Sequence, residues 1–492
     1  VERGGGAYLQ MCRMTDSVVS NNNLAWQDGI GGVAGGAGIA GEGCQFETCV
    51  IRDNWGYDAD DQGGGIACFP VGAWTTEVVN CSIRGNSAGD GGGIFVATGA
   101  LCVASATGTN ATDIRQNAAT NYGGGVCLTT QAVFRGSGNL LFAANEAAYG
   151  GGFAALEGAQ ATLEGADGNV PVFYDNTAAD SGGGLYAAGT NTALTLRNVQ
   201  VGRGGAKIQG NWARGTVSAR GVGGGGIALK YGASLTGCNL RVEYNSCPSA
   251  CGGGLLIDYS RAHIASTPSG PPATARSASL FANNSALAGG AIYSCASPFV
   301  IQEASFIENS AERGGAIFAY IGSTGRLDNV VMAGNVATVN GGGISIFDEG
   351  FPVTAVCDLR HCTLYGNGLD GVAAAGAVAL SLTNCIVYGN AGTNVSPGCT
   401  VAYSDIQGGY AGAGNLDADP FFRDTARYDF HLTAASTNTV ADAGIGAGLT
   451  NDCVFRARPL GAGCDLGAFE YNIGRDDSDG DGIPDEWEAV RG

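Results

Sequence analysis

A short motif returns through most of the chain, and it constrains the fold more than any other feature. Its clearest copies are Phe306-Ile-Glu-Asn309 before Gly314-Gly-Ala-Ile317, and Phe281-Ala-Asn-Asn284 before Gly289-Gly-Ala-Ile292. The glycine runs recur mostly every 25 to 37 residues. Self-similarity at this period is typical of a solenoid. The runs begin at Gly4, Gly35, Gly63, Gly91, Gly123, Gly150, Gly182, Gly223, Gly252, Gly289, Gly314 and Gly341, with a degenerate copy around Gly376.

Each glycine run leads into a short stretch with aliphatic residues two positions apart, as in Ile94-Phe-Val96 and Ile344-Ser-Ile346. This alternation indicates a strand with one inward face. An apolar residue also stands three positions before each asparagine, which predicts a second inward ladder with Ile208 as one member. The asparagines themselves are predicted to stack at a corner and to bond from coil to coil. They are Asn54, Asn86, Asn117, Asn145, Asn176, Asn211, Asn245, Asn284, Asn309, Asn335, Asn367 and Asn390.

These patterns predict an all-β fold: a right-handed parallel β-helix solenoid of about 12 coils with a C-terminal cap. With coils about 4.8 Å apart, the rod would be on the order of 60 Å long. We assign residues 1–390 to the β-helix repeats, 391–471 to the cap, where the glycine rhythm stops, and 472–492 to a calcium-binding loop or linker.

Charge and hydropathy exclude several classes of partner. The net charge is −20, and Lys207 and Lys230 are the only lysines. Such a surface argues against nucleic acid and anionic membranes, which need basic patches. No apolar run reaches the roughly 18 residues of a transmembrane helix.

Seventeen cysteines without a zinc-binding pattern indicate a partly disulfide-bonded, secreted or extracellular protein. Stacked cysteines in neighbouring coils could form disulfides or an inward ladder of buried thiols, and both alternatives stay open. The predicted pairs are Cys49 with Cys81, Cys247 with Cys251, Cys362 with Cys385, and Cys453 with Cys464.

The last stretch carries one sharp chemical motif. A twelve-residue loop begins at Asp477, has Gly482 at position 6, and ends on a glutamate that can bind a cation through two oxygens. This pattern predicts Ca²⁺ as the cofactor, and the alternative is an acidic tail. The predicted ligands are Asp477, Asp479, Asp481, Asp485, Glu488 and the backbone carbonyl of Ile483.

Several families of polysaccharide lyases and hydrolases use β-helices, so catalysis is a serious alternative. Such chemistry needs carboxylates, or bound calcium with a basic residue, on one lateral face. The candidates are Asp58, Asp60 and Asp61 with Arg84 or Arg115. The same acidic loop could bind a cation or a glycan, or be solvated. His263, His361 and His431 stand in no recognisable setting, so we expect no catalytic residues.

The motifs at 281–292 and 306–317 resemble the repeats of chlamydial polymorphic outer-membrane proteins. Ala418-Asp-Pro-Phe-Phe422 and Asp465-Leu-Gly-Ala-Phe-Glu-Tyr471 resemble the C-terminal part of choice-of-anchor Q surface proteins. The tail at 477–488 is similar to thrombospondin-type-3 and EF-hand-like calcium loops. These resemblances imply a bacterial protein that is secreted or displayed on the cell surface.

We therefore expect an extracellular structural or adhesive protein rather than an enzyme. Because Glu2-Arg3-Gly4 resembles the middle of a coil, the first coil would present an open edge, and the protein could self-associate head to tail into filaments. The alternatives are a monomeric stalk or adhesin, and a polysaccharide-binding or polysaccharide-degrading β-helix whose partner is a cell-surface glycan. Trp26, Trp55, Trp74, Trp212 and Trp487 are too scattered in sequence to locate an aromatic groove.

Overall fold

The computed structural model describes residues 5–24, 35–56, 59–166, 168–203, 209–215, 221–267, 279–350 and 354–471. Contacts divide the chain into two compact units. The first comprises Val1–Ala262 and Asn283–Ser297, and the second comprises His263–Ala282 and Pro298–Gly492.

The described part of the first unit consists of stacked parallel coils, each contributing to three sheets. After the glycine run the chain enters sheet 1, then makes two strands of sheet 2, turns at the asparagine and adds a strand to sheet 3. Strands of successive coils pair in parallel and in register, as Ile66 with Ile94 and Ile94 with Val126. The predicted parallel β-helix is thereby confirmed.

In the first unit, sheet 1 contains Ala7–Gln10, Ile39–Glu42, Ile66–Phe69, Ile94–Val96, Val126–Leu128, Phe153–Leu156, Leu185–Ala188, Ile227–Lys230, Leu255–Asp258 and Ile292–Cys295. Sheet 2 contains Arg13–Thr15, Val18–Ser20, Gln45–Glu47, Val50–Arg52, Thr76–Val79, Ser82–Arg84, Leu101–Ser105, Thr112–Arg115, Val133–Ser137, Leu140–Ala143, Gln160–Glu164, Val172–Tyr174, Ala193–Arg197, Gln200–Val201, Ser234–Cys238, Arg241–Glu243 and Arg261–Ala265, which continues past the division. Sheet 3 contains Asn23–Leu24, Trp55–Gly56, Ser87–Asp90, Ala118–Tyr122, Glu146–Tyr149, Thr177–Ser181, Trp212–Ala213, Ser246–Cys251 and Ser285–Ala288.

The second unit repeats the same coil. Its sheet 1 contains Ile317–Tyr320, Ile344–Asp348 and Val372–Gly376, and its sheet 3 contains Ser310–Arg313 and Val336–Asn340. Its sheet 2 contains Ser279–Ala282, Pro298–Ile307, Thr324–Ala333, Ala355–Arg360, Thr363–Tyr365, Val378–Thr383, Ile386–Tyr388, Thr400–Ala402 and Asp405–Ile406. The last two strands stack on the coil before them, so parallel pairing continues beyond residue 390.

The inward faces carry stacked apolar side chains. Phe142 and Phe173 lie with ring centroids 4.3 Å apart and planes within 3°, and both are fully buried. The next rung is Val201, which pairs with Phe173. The sequence had suggested Ile208 for that rung, and Ile208 lies outside the described residues. Nine residues separate Val201 from Asn211, whereas two separate the apolar residue from its asparagine in the other coils.

The asparagines form hydrogen-bonded ladders within each unit. Asn145 Nδ2 donates to Asn176 Oδ1 at 2.9 Å and to the carbonyl of Ile114 at 2.9 Å. Its Oδ1 accepts from the backbone N–H and the side chain of Asn117, each at 3.0 Å. All donors and acceptors of these buried amides are therefore satisfied. One ladder runs from Asn22 to Asn284 in the first unit, and the other runs from Asn309 to Asn394 in the second.

Glycine is needed where the chain leaves sheet 3. Gly91 has φ +64°, and a Cβ there would lie 2.5 Å from the carbonyl oxygen of Ile94. An L side chain would be strained by the φ value and would also clash with the backbone. The backbone conformation at this corner explains why a glycine run recurs at the same position before each strand of sheet 1.

In the second unit, the C-terminal segment packs against the outer face of sheet 2. It includes an antiparallel pair, Phe422–Asp424 and Asp429–Leu432, and two 3₁₀ helices, Thr425–Arg427 and Ala434–Asn438. Phe430 and Phe469 cover Val331. The C-terminal segment thus folds back over the outer face of sheet 2 in the coils that precede it in sequence.

A buried polar network anchors this segment. Arg458 and Glu470 form an ion pair at 2.8 Å with both side chains fully buried. His361 Nδ1 lies 3.2 Å from the carbonyl oxygen of Asp465 and 2.5 Å from the Arg458 guanidinium, and its Nε2 lies 2.8 Å from Asn384 Nδ2. Burial, with Arg458 nearby, lowers the pKa of His361 to about 3.

Candidate functional site

The outer face of sheet 3 in the first unit is creased along the direction in which the coils stack. Pairing between successive strands shifts register at Ala88–Asp90, Ala118–Tyr122 and Ala147–Tyr149. Such bulges bend a strand. Because the bend recurs at the same place in neighbouring coils, it produces a continuous groove.

Small side chains form the floor of this groove. Its volume is about 310 Å³. Glu146 is the one titratable side chain among the residues that line it. The lining residues are Gly56, Ser87, Ala88, Ala118, Ala119, Thr120, Glu146, Ala147, Ala148 and Ala179.

Two exposed tryptophans stand on the same ladder just beyond the residues that line the groove, Trp55 beside Gly56 and Trp212 one coil past the strand that carries Ala179. Trp55 pairs with Ser87, and in-register pairing continues from coil to coil until Thr177 pairs with Trp212. The indoles of Trp55 and Trp212 are 41% and 45% exposed. Five coil steps separate them, or about 24 Å at the usual strand spacing.

An exposed ion pair lies beside the second tryptophan. Arg214 is 3.8 Å from Glu146, and its guanidinium carbon lies 5.9 Å from the centre of the Trp212 ring. Exposed pairs of this kind contribute little to stability. The arginine therefore neutralises the acidic group of the groove and rests against the indole.

A row of tyrosines spans the glycine corner, with Tyr122 and Tyr149 on sheet 3 and Tyr186 on sheet 1. The ring centroids of Tyr122 and Tyr149 lie 5.2 Å apart, as do those of Tyr149 and Tyr186. Burial raises the pKa of Tyr122 and of Tyr149, so both remain neutral at physiological pH. Tyr122 also packs against a buried cluster that includes Phe95.

The residues that were candidates for the catalytic alternative are not brought together in the described part of the chain. Asp60 and Asp61 lie next to sheet 3, where the Asp61 carbonyl accepts from the backbone N–H of Asp90 at 3.0 Å. Arg84 and Arg115 lie on sheet 2, beyond the asparagine corner. Asp58 lies outside the described residues.

The three histidines have separate settings. His263 lies 3.4 Å from Gln302, His361 belongs to the buried network, and His431 pairs with Asp429 at 2.6 Å. None of them lines the groove of sheet 3.

The predicted calcium ligands, Asp477, Asp479, Asp481, Ile483, Asp485 and Glu488, lie outside the described residues. Among the residues that are described, no group of three His, Cys, Asp or Glu side chains could hold a metal ion.

None of the possible disulfides is formed in this structure, in which all seventeen cysteines are free thiols, the alternative that the sequence left open for the stacked pairs. Side chains of residues stacked in register point the same way, so their Cβ atoms stay about 4.8 Å apart. A disulfide needs about 3.5 to 4.5 Å between Cβ atoms. This applies to the stacked pairs, Cys49 with Cys81 and Cys362 with Cys385. Cys247 and Cys251 are both in one strand, and Cys453 is buried in the cluster over Val331.

The stacked cysteines instead form a second corner ladder. The backbone N–H of Cys49 donates to Cys81 Sγ at 3.4 Å, and the N–H of Cys81 donates to Thr112 Oγ1 at 3.4 Å. In the second unit, Ser404 accepts from the N–H of Cys385 at 3.0 Å. Thiol and hydroxyl groups thus have the same role, which explains why cysteines recur there without bonding to one another.

The sequence contained a signal that would have located the two groove tryptophans. Each directly follows a ladder asparagine, Asn54 or Asn211, so the two have the same phase in the repeat. Trp74 follows no ladder asparagine and lies in a turn before sheet 2. Trp26 and Trp487 lie outside the described residues.

No protein-family model matches the chain, and no curated protein matches it in sequence. Among solved structures, the chain is similar to the crystal structure of pectate lyase Pel9A, with 15% sequence identity and a TM-score of 0.41. The match covers 82% of this chain and 98% of that one. The parallel, in-register strand pairing by itself establishes the fold.

Among the described residues, no helix is long and apolar enough to cross a membrane.

Proposed function

We propose that this protein is an extracellular, surface-associated protein that binds a linear polysaccharide in the groove of sheet 3. The observation that carries the proposal is the position of Trp55 and Trp212 on one ladder, just beyond either end of a groove with a floor of small residues. Adhesion to a glycan-coated surface would follow from binding of this kind.

The physical basis is stacking against flat aromatic surfaces. An indole offers a large, rigid apolar face, and its N–H can still reach water or a ligand hydroxyl. The C–H face of a sugar ring matches such a surface. Small side chains between the two indoles allow a chain of several sugars to lie against the sheet without a steric clash.

The composition of the groove favours binding over cleavage. Glycoside hydrolysis generally uses two carboxyl groups about 5 to 10 Å apart on either side of the bond. Glu146 is the one carboxylate among the described lining residues, and it is paired with Arg214. The groove can therefore hold a glycan without the usual pair of groups that would hydrolyse it.

The test compares tryptophan variants on a panel of purified polysaccharides, with affinity measured by gel retardation and calorimetry. Each of Trp55→Ala and Trp212→Ala should weaken binding about tenfold, since a buried aromatic face contributes roughly 1.5 to 3 kcal/mol. The double variant should abolish measurable binding.

Trp74→Ala is the matched control. Trp74 is 62% exposed and lies outside the groove, so binding should stay within twofold of wild type. Equal losses in all three single variants, or no binding by the wild type to any polysaccharide in the panel, would refute the proposal.

Two further hypotheses concern assembly and metal binding. Head-to-tail self-association has its support in the parallel stacking of the coils, a geometry that a second copy of the chain could continue. Electron microscopy of the isolated protein, with and without a chelator, distinguishes filaments from single particles. Ca²⁺ binding at 477–488 has its support in the spacing of the oxygen ligands.

A further inference from the structure

The outer face of sheet 2 in the first unit carries three arginines on consecutive coils. Arg52 pairs in register with Arg84, and Arg84 pairs in register with Arg115. Their Cα atoms are therefore about 4.8 Å from one coil to the next. We call Arg52, Arg84 and Arg115 the arginine ladder.

Stacking of like charges stands out in this chain, which has 44 acidic residues and 24 basic ones. In the second unit, charged rungs of sheet 2 alternate in sign: Arg326 pairs with Asp358, and Asp328 pairs with Arg360. Opposite charges on neighbouring rungs attract, and like charges repel. The arginine ladder lacks this compensation from rung to rung.

Carboxylates form ion pairs with the two end members of the ladder, and one of them, Asp113, also interacts with Arg84 at longer range: burial raises the pKa of Asp113, and the charges of Arg115 and Arg84 oppose that shift. Arg52 pairs with Asp53 at 2.7 Å, and Arg115 pairs with Asp113 at 2.9 Å. Arg84, between them, forms no ion pair with any residue in the described ranges. Ser82 lies two residues before Arg84 on the same strand face, so a hydroxyl donor stands next to the central guanidinium.

We propose that the arginine ladder is a binding site for an oxyanion, with Arg84 as its central donor. A guanidinium presents a planar fork of N–H donors that fits two oxygens of a carboxylate, sulfate or phosphate group. Binding would relieve the repulsion among the three arginines. The repeat of one guanidinium per coil also matches a ligand that carries anionic groups in series, such as an acidic glycan.

This site is on a different sheet from the tryptophan groove and does not depend on the function proposed for that groove. The groove has aromatic platforms and a single acidic side chain among its lining residues, and the arginine ladder has cationic donors. The two surfaces would therefore select ligands of different charge.

The experiment measures binding of dextran sulfate, uncharged dextran and sodium sulfate to the full chain by calorimetry. It is carried out at about 0.1 M ionic strength, where charges more than about 10 Å apart are largely screened. The general repulsion from the acidic protein is thereby reduced. The variants are Arg84→Gln, Arg84→Lys and, as the control, Arg197→Gln.

Arg197 lies on the same sheet but outside the ladder, next to Glu164 at 3.6 Å. We expect Arg84→Gln to weaken dextran sulfate binding at least tenfold, Arg84→Lys to retain part of it, and Arg197→Gln to stay within twofold of wild type. Dextran should not bind through this site. Circular dichroism checks that each variant is folded, and the lysine variant, which keeps the charge, tests the site if the glutamine variant does not fold.

Two results would separate the sources of the anion while supporting the site. If sodium sulfate shows the same differences in affinity between variants, and dextran sulfate binds no more tightly than sodium sulfate, the ligand is a single oxyanion. If only the polymer binds, the ligand is a polyanion. Equal losses in Arg84→Gln and Arg197→Gln, or no binding of either sulfate form to the wild type, would overturn the proposal.

Discussion

The outer face of sheet 2 differs between the two units, although the coil beneath it is the same. In the first unit this face is half-exposed and carries three stacked arginines. In the second unit its charges alternate in sign, and the C-terminal segment covers part of it through Phe430 and Phe469. The residue types at inward positions and corners are thus determined by packing and hydrogen bonding within the coil. Outward positions can vary, and they can serve to bind a ligand or to pack against another segment.

The largest expected effect comes from breaking the buried ion pair that holds the C-terminal segment against sheet 2 of the second unit. Arg458→Met leaves Glu470 as an unpaired buried carboxylate, which should destabilise the second unit by about 3 to 5 kcal/mol. Hydrogen exchange should increase in residues 419–471 and in the strands beneath them, and the first unit should keep its protection. If both units lost protection equally, Arg458 would not act on the C-terminal segment and the strands beneath it alone.

The asparagine ladder tests whether the two units share one coil. Asn145→Leu removes the acceptor for the backbone N–H and for one side-chain N–H of Asn117, and it removes a donor to the carbonyl of Ile114. With about 1 kcal/mol or more for each buried unpaired group, we expect a loss of roughly 3 kcal/mol. Asn335→Leu should have a similar effect in the second unit. Chemical denaturation measures both.

Asn110→Ala is the control for the ladder variants, because Asn110 lies in an exposed turn. Its effect should stay within about 0.5 kcal/mol. If a ladder variant were as mild as this control, the amide ladder would not be a determinant of the fold.

The buried histidine predicts a pH effect confined to the second unit. The pKa of His361 is about 3 in the folded protein, against 6.5 in an unfolded chain, so the unfolded state binds the proton first as the pH falls. Between pH 7 and pH 5 this linkage should remove about 2 kcal/mol of stability. The pKa of Asp465 is raised to about 6 by burial, and its protonation in the folded state acts in the opposite direction.

The contribution of His361 is therefore measured by comparing the pH dependence of stability in the wild type and in a His361→Asn variant. His361→Asn keeps a donor and an acceptor but does not titrate in this range. Stability of the wild type relative to this variant should fall by about 2 kcal/mol from pH 7 to pH 5, as measured by denaturation at both pH values. If stability fell with pH by the same amount in both proteins, His361 would not be the group responsible for the pH effect.

The smallest expected effect on the coils comes from calcium. The 477–488 loop should bind one Ca²⁺, and Asp481→Asn with Glu488→Gln should abolish that binding in calorimetry. Because the predicted ligands all lie within one stretch of twelve residues, chelation should shift the unfolding of either unit by no more than about 0.5 kcal/mol. A large shift would mean that the loop stabilises one of the units.

Repetition explains how much of the structure could be predicted. The asparagine rungs, the glycine corner at Gly91 and the inward aliphatic residues all recur with the coil, so each copy supports the assignment of the others. The outward ladders also had a signal, since Arg52, Arg84 and Arg115 each stand two residues before an asparagine. Reading the residues by their phase in the repeat would have brought these arginines together.

Contacts that occur only once could not be predicted in this way. Thr363 accepts from the N–H of Ala468, 105 residues further along the chain, and no periodic pattern relates the two. The same holds for the pairing of Arg458 with Glu470. The sequence left disulfides and free thiols open as alternatives for another reason: the spacing of stacked residues has to be compared at Cβ, where a disulfide is more demanding than at Cα.

The tryptophan ladder gives the groove a length that is counted in whole coils. Each coil inserted between Trp55 and Trp212 would move the two indoles apart by one rung, about 4.8 Å, and each coil deleted would bring them one rung closer. Tandem duplication, the usual way in which repeat proteins grow, would then change the size of oligosaccharide that the proposed site accommodates without altering a single contact residue.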